Sequence, residues 1–193
     1  MINIPTTSYN NNDIQELITS FVKSLDIKCA AEIGTQRGCS AALICKGMDK
    51  EDREFHSCDL FEEKYRNPPY LATHASKEET EFNLSKLNLK CKWNIHKSND
   101  IELLEIVEDI ELLHIDICNH YDNIRDILIR WNTIVKKAII LEGGNYNHWQ
   151  KKYGFKPWYP ILEEEWFSKY WSYITIEFNN GNAVTFCIRK SIV

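Results

Sequence analysis

The chain has 193 residues and a mass of 22.7 kDa, which allows one α/β domain with its own core and is too little for two domains of ordinary size. With 44% hydrophobic and 26% charged residues, its composition is typical of a folded globular protein and excludes a disordered or membrane-spanning chain. The formal charge of −5 argues against a nucleic-acid partner, because surfaces that bind phosphates collect lysine and arginine.

The first residues, MINIPTTSYNNND, lack the basic region, apolar run and cleavage site of a secretory signal. No apolar run in the sequence approaches about 18 residues, the minimum for a membrane-spanning helix. We therefore expect a cytoplasmic protein with no membrane partner. The seven cysteines are an odd number, are scattered and include no C-x-x-C pair, so they predict reduced core residues and not a zinc or redox site.

Residues 1–12 are polar and rich in asparagine and predict a flexible leader, after which Asp13 can cap a helix with apolar side chains at helical spacing. Strands and helices then alternate, and this alternation predicts a parallel sheet with helices on both faces. The predicted elements are strand 28–33, helix 38–47, strand 53–59, helix 77–87, strand 91–96, helix 100–107, strand 111–116, helix 121–135 and strand 138–142.

The C-terminal part breaks the alternation. A helix is predicted over residues 161–170, followed by two strand-like runs, 171–178 and 183–190. The sequence between those runs contains Asn-Gly, which signals a hairpin. The sequence therefore predicts a doubly wound, Rossmann-like α/β fold for one domain over residues 1–193, with a mostly parallel sheet and a C-terminal antiparallel hairpin.

The first predicted strand ends in AEIGTQRGCSA, which places Glu32, Gly34 and Gly38 at the strand-to-helix turn where open α/β sheets bind ligands. Glycine lets the backbone approach a ligand closely, and the N–H groups that open the next helix can receive a carboxylate. A carboxylate at Glu32 suits a cofactor with a cationic amino group. The dinucleotide pattern G-x-G-x-x-G is absent, because position 36 is glutamine.

The second predicted strand, within FHSCDLFE, ends in Asp59. Asp59 follows the glycines by roughly twenty residues, and an acid at this position can hydrogen-bond both hydroxyls of a ribose. The alternatives are a purely structural glycine turn and a surface aspartate that closes a strand. The coincidence of the two features favours a nucleoside-containing cofactor.

The pattern E-x-G-x-x-x-G resembles the first motif of class I S-adenosylmethionine-dependent methyltransferases. The segments ELLHIDICNHYDNIRDILIRW and AIILEGG resemble a bacterial subfamily that includes macrocin-type and cephalosporin-biosynthesis-type sugar and antibiotic O-methyltransferases, and the resemblance covers residues 28–145. It implies S-adenosyl-L-methionine as the cofactor, with Ser98 and Asn99 near the adenine. The cofactor-binding residues implied are Glu32, Gly34, Thr35, Gly38, Ser40, Asp59, Leu60, Ser98, Asn99 and Asp116.

The resemblance also implies the catalytic residues. Asp116 would lie at the tip of the fourth strand beside the cofactor, and His120 would be the general base, although a histidine there can also merely start a helix. In metal-dependent members, the fourth-strand aspartate and two consecutive acids after strand five hold a divalent ion. Here Glu142 is followed by Gly143, so Mg²⁺ or another divalent ion at Asp116 and Glu142 stays an open alternative.

Two long irregular segments, 62–76 and 143–160, are expected at the carboxyl edge of the sheet, where long loops are usually functional. The second is rich in aromatic residues, which suit a sugar or another amphipathic acceptor unless they pack in the core. The substrate residues predicted there are Tyr146, His148, Trp149 and Trp158. We expect methyl transfer to a hydroxyl of a small metabolite or saccharide. N-methylation, a catalytically degenerate cofactor-binding subunit and a homo-oligomer stay open.

Overall fold

Helices and strands alternate along most of the chain in a computed structural model, which describes residues 4, 9, 11–61, 75–117, 120–144, 154, 156–179 and 181–191. In chain order the elements are α1 (Asn12–Ser24), β1 (Cys29–Ile33), α2 (Cys39–Met48), β2 (Glu54–Asp59), α3 (Lys77–Ser85), β3 (Lys92–Lys97), α4 (Asp100–Leu104), β4 (Leu112–Ile115), α5 (Tyr121–Trp131), β5 (Ala138–Glu142), a 3-10 helix (Tyr159–Glu163), α6 (Glu165–Ser168), β6 (Trp171–Glu177) and β7 (Ala183–Arg189). Each predicted strand is present, with its ends within one residue of the prediction.

The seven strands form a mixed sheet with the order β3-β2-β1-β4-β5-β7-β6. β1 and β2, β2 and β3, and β4 and β5 pair in parallel. β7 runs antiparallel to both β5 and β6, with Thr175 of β6 opposite Thr185 of β7. The predicted fold class, a mostly parallel sheet with a C-terminal antiparallel hairpin, is confirmed.

The contacts divide the chain into two compact units, Met1–Glu108 and Asp109–Val193. In the first unit, α1 buries Ile14, Ile18 and Val22 along one face, at the spacing of a helical stripe. This stripe can approach α2 closely because Gly47 has no side chain. A Cβ atom at Gly47 would lie only 2.6 Å from Val22 Cβ. The prediction of a single domain over the whole chain stays a prediction.

The start of α1 differs from the prediction, because Asn11 and not Asp13 caps the helix. Asn11 Oδ1 accepts a hydrogen bond from the Asp13 backbone N–H at 2.8 Å. Of the predicted leader, residues 4, 9, 11 and 12 are described, and Ile4 and Tyr9 are buried. The Gln15 side chain donates to the Tyr9 carbonyl at 2.9 Å, which connects this part of the leader to α1.

In the second unit, the helix predicted over 161–170 is wrong. A 3-10 helix with Pro160 in its first turn ends at Glu163, and Glu164 then adopts an extended conformation (φ −63, ψ 136) before the short α6. The physical reason is that the Glu164 carboxylate is held by donors on α5 and α6, and helical geometry at this residue would direct the carboxylate elsewhere.

Core packing in the second unit centres on tryptophans. Trp131, Trp158 and Trp171 are fully buried, and the Trp171 indole N–H donates to Asn132 Oδ1 at 2.6 Å. The six described cysteines of the chain are free, and five of them are buried. Among the helices that the structure describes, none has the length and apolar character needed to cross a membrane.

Candidate functional site

The turn between β1 and α2 is built on left-handed backbone conformations. Gly34 has φ 88, Gln36 has φ 46 and Gly38 has φ 86. The Gly34 N–H donates to the Cys58 carbonyl at 2.8 Å, which joins the turn to β2. At Gly38 a Cβ atom would lie 3.2 Å from Thr80 Cγ2, so both the backbone conformation and the space favour glycine.

Glu32 is the last but one residue of β1 and is fully buried. The parallel register places it opposite Ser57 of β2, whose hydroxyl donates to Glu32 Oε2 at 2.7 Å. The Ser57 hydroxyl is also hydrogen-bonded to that of Thr35, which is buried in the turn. The predicted residues Glu32 and Thr35 therefore belong to one buried polar cluster, and Ser57 is a member that the sequence analysis missed. A polar residue inside a buried strand was the available signal.

Asp59, at the end of β2, organises the same turn. Its Oδ2 atom accepts the backbone N–H groups of Thr35 and Gln36, both at 3.0 Å. Its Oδ1 atom accepts the Phe61 N–H at 3.0 Å. A carboxylate has about four acceptor positions, so among the described residues one position is left for a ligand. Asp59 is half-buried, and Leu60 beside it is exposed.

Three carboxylates lie near the carboxyl end of β2, those of Asp100, Asp59 and Glu32. Burial raises the pKa of the Cys58 thiol, and the negative charges of Asp100, Asp59 and Glu32 raise it further. A region where three carboxylates act on one thiol favours a bound cation over a bound anion.

Helix α3 supports the turn from outside, through contacts that sequence reasoning missed. The Thr80 hydroxyl donates to the Gln36 carbonyl, and the Asn83 amide donates to the Arg37 carbonyl at 3.1 Å. Both satisfy carbonyls of a turn more than forty residues earlier in the chain. No pattern in the sequence signals these pairings, because they depend on the tertiary position of α3.

The two residues after β3 differ in what their side chains do. Ser98 Oγ is buried and has no hydrogen-bond partner among the described residues, while its backbone N–H donates to the Asp59 carbonyl at 3.2 Å. Asn99 caps α4, with its Oδ1 atom accepting the N–H groups of Ile101 and Glu102, both at 2.9 Å. The amide of Asn99 is therefore engaged in starting a helix. Ser40, another predicted residue, is buried in the first turn of α2.

The second unit contains the predicted catalytic residues. Asp116 follows β4 directly and is half-buried, and Glu142 is the half-buried last residue of β5. His120 is the N-cap residue of α5 and is half-buried. Within the described residues its side chain makes no capping hydrogen bond, and its role as general base stays a prediction. His114, inside β4, is fully buried.

Packing explains why glycine follows β5. Gly144 has φ 117, and a Cβ atom there would overlap with Thr185 Oγ1 and lie 2.9 Å from Thr175 Cγ2. Thr185 in turn donates to the Gly143 carbonyl at 2.9 Å. Among the described residues, no group of three histidine, cysteine, aspartate or glutamate side chains could hold a metal ion. The donor set for a divalent ion at Asp116 and Glu142 is therefore incomplete in this part of the chain.

A polar cluster fixes the N-terminal end of α5, directly after His120. Glu164 accepts hydrogen bonds from the Tyr121 hydroxyl, from Arg125 Nε at 3.1 Å and from the Trp166 indole at 2.5 Å. Burial acts to raise the pKa of Glu164, but these hydrogen bonds outweigh it and lower the pKa. The same contact raises the pKa of Tyr121, because the carboxylate stabilises the neutral hydroxyl that donates to it.

Of the predicted substrate residues, Tyr146, His148 and Trp149 lie outside the described residues. Trp158 is fully buried, which corresponds to the core-packing alternative. Its indole nitrogen is buried without a hydrogen-bond partner among the described residues.

Comparisons with known proteins agree with this arrangement. A family model described as a methyltransferase domain matches residues 31–142, from within β1 to the end of β5. No curated protein matches the chain significantly.

Solved structures share the fold at low sequence identity. An O-methyltransferase from Bacillus cereus in complex with S-adenosylhomocysteine is 12% identical, with a TM-score of 0.67 over 97% of this chain and 85% of that one. A methyltransferase from Geobacter sulfurreducens is 14% identical, with a TM-score of 0.67 over 94% and 80%. An O-methyltransferase from Streptomyces achromogenes, involved in tomaymycin synthesis and solved with S-adenosylmethionine, is 10% identical, with a TM-score of 0.64 over 94% and 81%. The chain belongs to the methyltransferase-domain family, and membership in this family confirms the prediction of a methyltransferase.

Proposed function

We propose that this methyltransferase takes its methyl group from S-adenosyl-L-methionine and transfers it to a hydroxyl of a small metabolite or saccharide. The observation that carries the proposal is the glycine turn after β1, which lies between the carboxylates of Glu32 and Asp59. The carboxylates there suit the cationic amino group and sulfonium of this cofactor. Structural neighbours were solved with this cofactor or its product bound.

The residues of the first unit supply different parts of the proposed cofactor site. Glu32 would pair with the amino group, since a buried carboxylate is stabilised by a cation. Asp59 would use its remaining acceptor position for a ribose hydroxyl. The unpartnered hydroxyl of Ser98 would bond a polar edge of the adenine, since a buried polar atom without a partner is costly.

The proposed reaction is an in-line displacement. The acceptor oxygen forms a bond to the methyl carbon while the bond from that carbon to sulfur breaks, and the sulfonium becomes a neutral thioether. The proton of the acceptor hydroxyl passes to the His120 imidazole, since histidine is the usual general base in enzymes. Alignment of the acceptor with the methyl group contributes much of the rate.

Three finer points belong to this proposal. We place the chain in the macrocin-type and cephalosporin-biosynthesis-type subfamily, on the resemblance of the fourth-strand segment. No step is assigned to a metal ion, because the described residues offer Asp116 and Glu142 without a third ligand. The protein is proposed to act in the cytoplasm, which the localisation of a tagged chain would test.

The experiment that tests the proposal is a calorimetric titration with S-adenosylhomocysteine. The wild-type protein should bind it, and NAD should not bind, because the acidic turn opposes a pyrophosphate. Glu177→Gln, an exposed change on β6, is the matched control and should leave the affinity unchanged. Tight NAD binding, or no binding of S-adenosylhomocysteine, would contradict the proposal. Cofactor binding with transfer only to amines would favour N-methylation, and binding without transfer would favour a degenerate subunit.

A further inference from the structure

A cavity of about 410 Å³ lies in the second unit, between the 3-10 helix, the middle of β6 and Gly144. Gly144 contributes to one side, two residues after Glu142. This volume falls within the range of about 300–1,000 Å³ that is usual for small-molecule sites. The rest of the lining comes from the 3-10 helix, through Tyr159, Leu162 and Glu163, and from β6, through Tyr173 and Thr175.

The lining combines aromatic surface with one negative charge. Tyr159 and Tyr173 are 38% and 41% exposed, so parts of both side chains are accessible. Glu163 is the charged lining residue, and its Oε1 atom accepts the Tyr173 hydroxyl. Of the residues that the structure describes, no other one donates to Glu163. A carboxylate beside tyrosine side chains complements a cation, which can gain both a charge-assisted hydrogen bond and a cation–π contact.

We propose that this cavity binds the methyl acceptor, and that the acceptor carries a protonated amine on an apolar ring. The ammonium group donates to Glu163 Oε2, and the ring lies against Tyr159, Tyr173 and Leu162. The inference rests on the proposed function, because only a methyl-transfer enzyme needs an acceptor next to the end of β5. It narrows the substrate class from any small metabolite or saccharide to a cationic amphipathic one.

The hydrogen bond from Tyr173 holds the negatively charged carboxylate of Glu163 in place in the cavity. It raises the pKa of Tyr173, so the hydroxyl stays neutral and keeps donating at neutral pH. Glu163 is thereby held in one position with one oxygen directed to Tyr173 and one left for the ligand. An anionic acceptor would be repelled from the same position.

The test compares two probes that differ in charge and hardly in shape, tryptamine and tryptophol. Their binding to the full chain is measured at pH 7 by ligand-observed NMR titration. We expect tryptamine to bind the wild-type protein roughly tenfold more tightly, since a charge-assisted hydrogen bond exceeds a neutral one. Glu163→Gln should remove this preference and leave the affinity for S-adenosylhomocysteine unchanged. The control Glu177→Gln, on β6 but outside the cavity lining, should keep the preference.

Equal binding of the two probes, binding of neither, or a preference that survives Glu163→Gln would overturn the inference. Tyr173→Phe gives an independent check, because it removes the donor that holds Glu163 and should reduce the preference while the fold is retained. The outcomes separate the two proposals. A wild-type protein that binds S-adenosylhomocysteine but does not prefer tryptamine contradicts the acceptor assignment alone. Absence of S-adenosylhomocysteine binding contradicts the proposed function, whatever tryptamine does.

Discussion

The carboxylate of Asp59 accepts a hydrogen bond from the Thr35 backbone N–H at 3.0 Å, so the acid that ends β2 also shapes the turn that follows β1. We predict that Asp59→Ala weakens S-adenosylhomocysteine binding by at least ~1–3 kcal/mol in calorimetry, the usual loss for a charge-assisted hydrogen bond. It should also lower the free energy of unfolding of the ligand-free protein by about 2 kcal/mol, because three backbone N–H groups lose their acceptor.

The control for this prediction is Asp59→Asn, which keeps one oxygen for Thr35 and Gln36 and should give an intermediate result in both measurements. If Asp59→Ala binds S-adenosylhomocysteine as well as the wild-type protein does, the ribose role of Asp59 is wrong. A loss of stability alone would leave Asp59 as a structural residue of the turn.

Glu164→Ala should lower the free energy of unfolding by about 1–2 kcal/mol, because its three donors on α5 and α6 lose a common acceptor. The folded-state pKa of Glu164 is lowered. The contribution of Glu164 to the free energy of unfolding is therefore complete above the ordinary glutamate pKa. It is lost as the pH falls through the lowered pKa of the folded state. Urea unfolding at pH 7 and at pH 3 measures this: the difference between wild type and variant should shrink at the lower pH. Glu165→Ala, at the exposed neighbour, is the control and should change little.

How much the sequence could predict depended on whether the signal was local. The alternating strands and the Asn-Gly hairpin follow from periodicity and turn chemistry, and Asp59 was found because a strand end is visible in the sequence. The start of α1 was misplaced at Asp13, because Asn11 is an equally good cap and only the path of the chain decides between them.

The parts that could not be predicted depend on distant contacts. Glu164 leaves the helical conformation because Tyr121 and Arg125, about forty residues earlier, hydrogen-bond its carboxylate. The support of the glycine turn by Thr80 has the same character. In each case a side chain meets a partner that only the tertiary structure brings near, and local propensity carries no information about it.

Gly144→Ala should destabilise the protein by about 2–5 kcal/mol, through a strained backbone at φ 117 and overlap with Thr185. Gly181→Ala is a matched control, because Gly181 also has a positive φ of 81 but has nothing within 4 Å of the added carbon. It should cost only about 1 kcal/mol. Thermal unfolding of both variants measures the difference. Equal losses would show that the packing against Thr185 contributes nothing.

Stability should fall as the pH decreases below about 6.5, because a pair of histidines on β2 and β3 is kept neutral by folding. His56 Nδ1 lies 3.2 Å from His96 Nε2, with the two rings stacked. Burial lowers the pKa of both, opposed at His56 by Glu54 and assisted at His96 by the charge of Lys77.

The unfolded chain therefore binds more protons than the folded one between the ordinary histidine pKa and the lowered values, so stability rises with pH in this window. Urea unfolding between pH 5 and pH 8 should show the slope in the wild-type protein. His96→Gln should flatten it, and an unchanged slope in that variant would assign the dependence to other groups.

The mechanism depends on the base and the metal, and one pair of experiments separates them. If His120 acts alone, His120→Ala should reduce turnover by roughly 10²–10⁴ with the affinity for S-adenosylhomocysteine nearly unchanged, and a chelator should have no effect. If Asp116 and Glu142 hold a divalent ion that lowers the pKa of the acceptor hydroxyl, activity should vanish with chelator and return with magnesium or manganese. We expect the first result, because Gly143 stands where metal-dependent members carry their second acid. A His120→Ala enzyme that stays active and is indifferent to chelator would contradict both versions and favour a nitrogen acceptor, which needs no strong base.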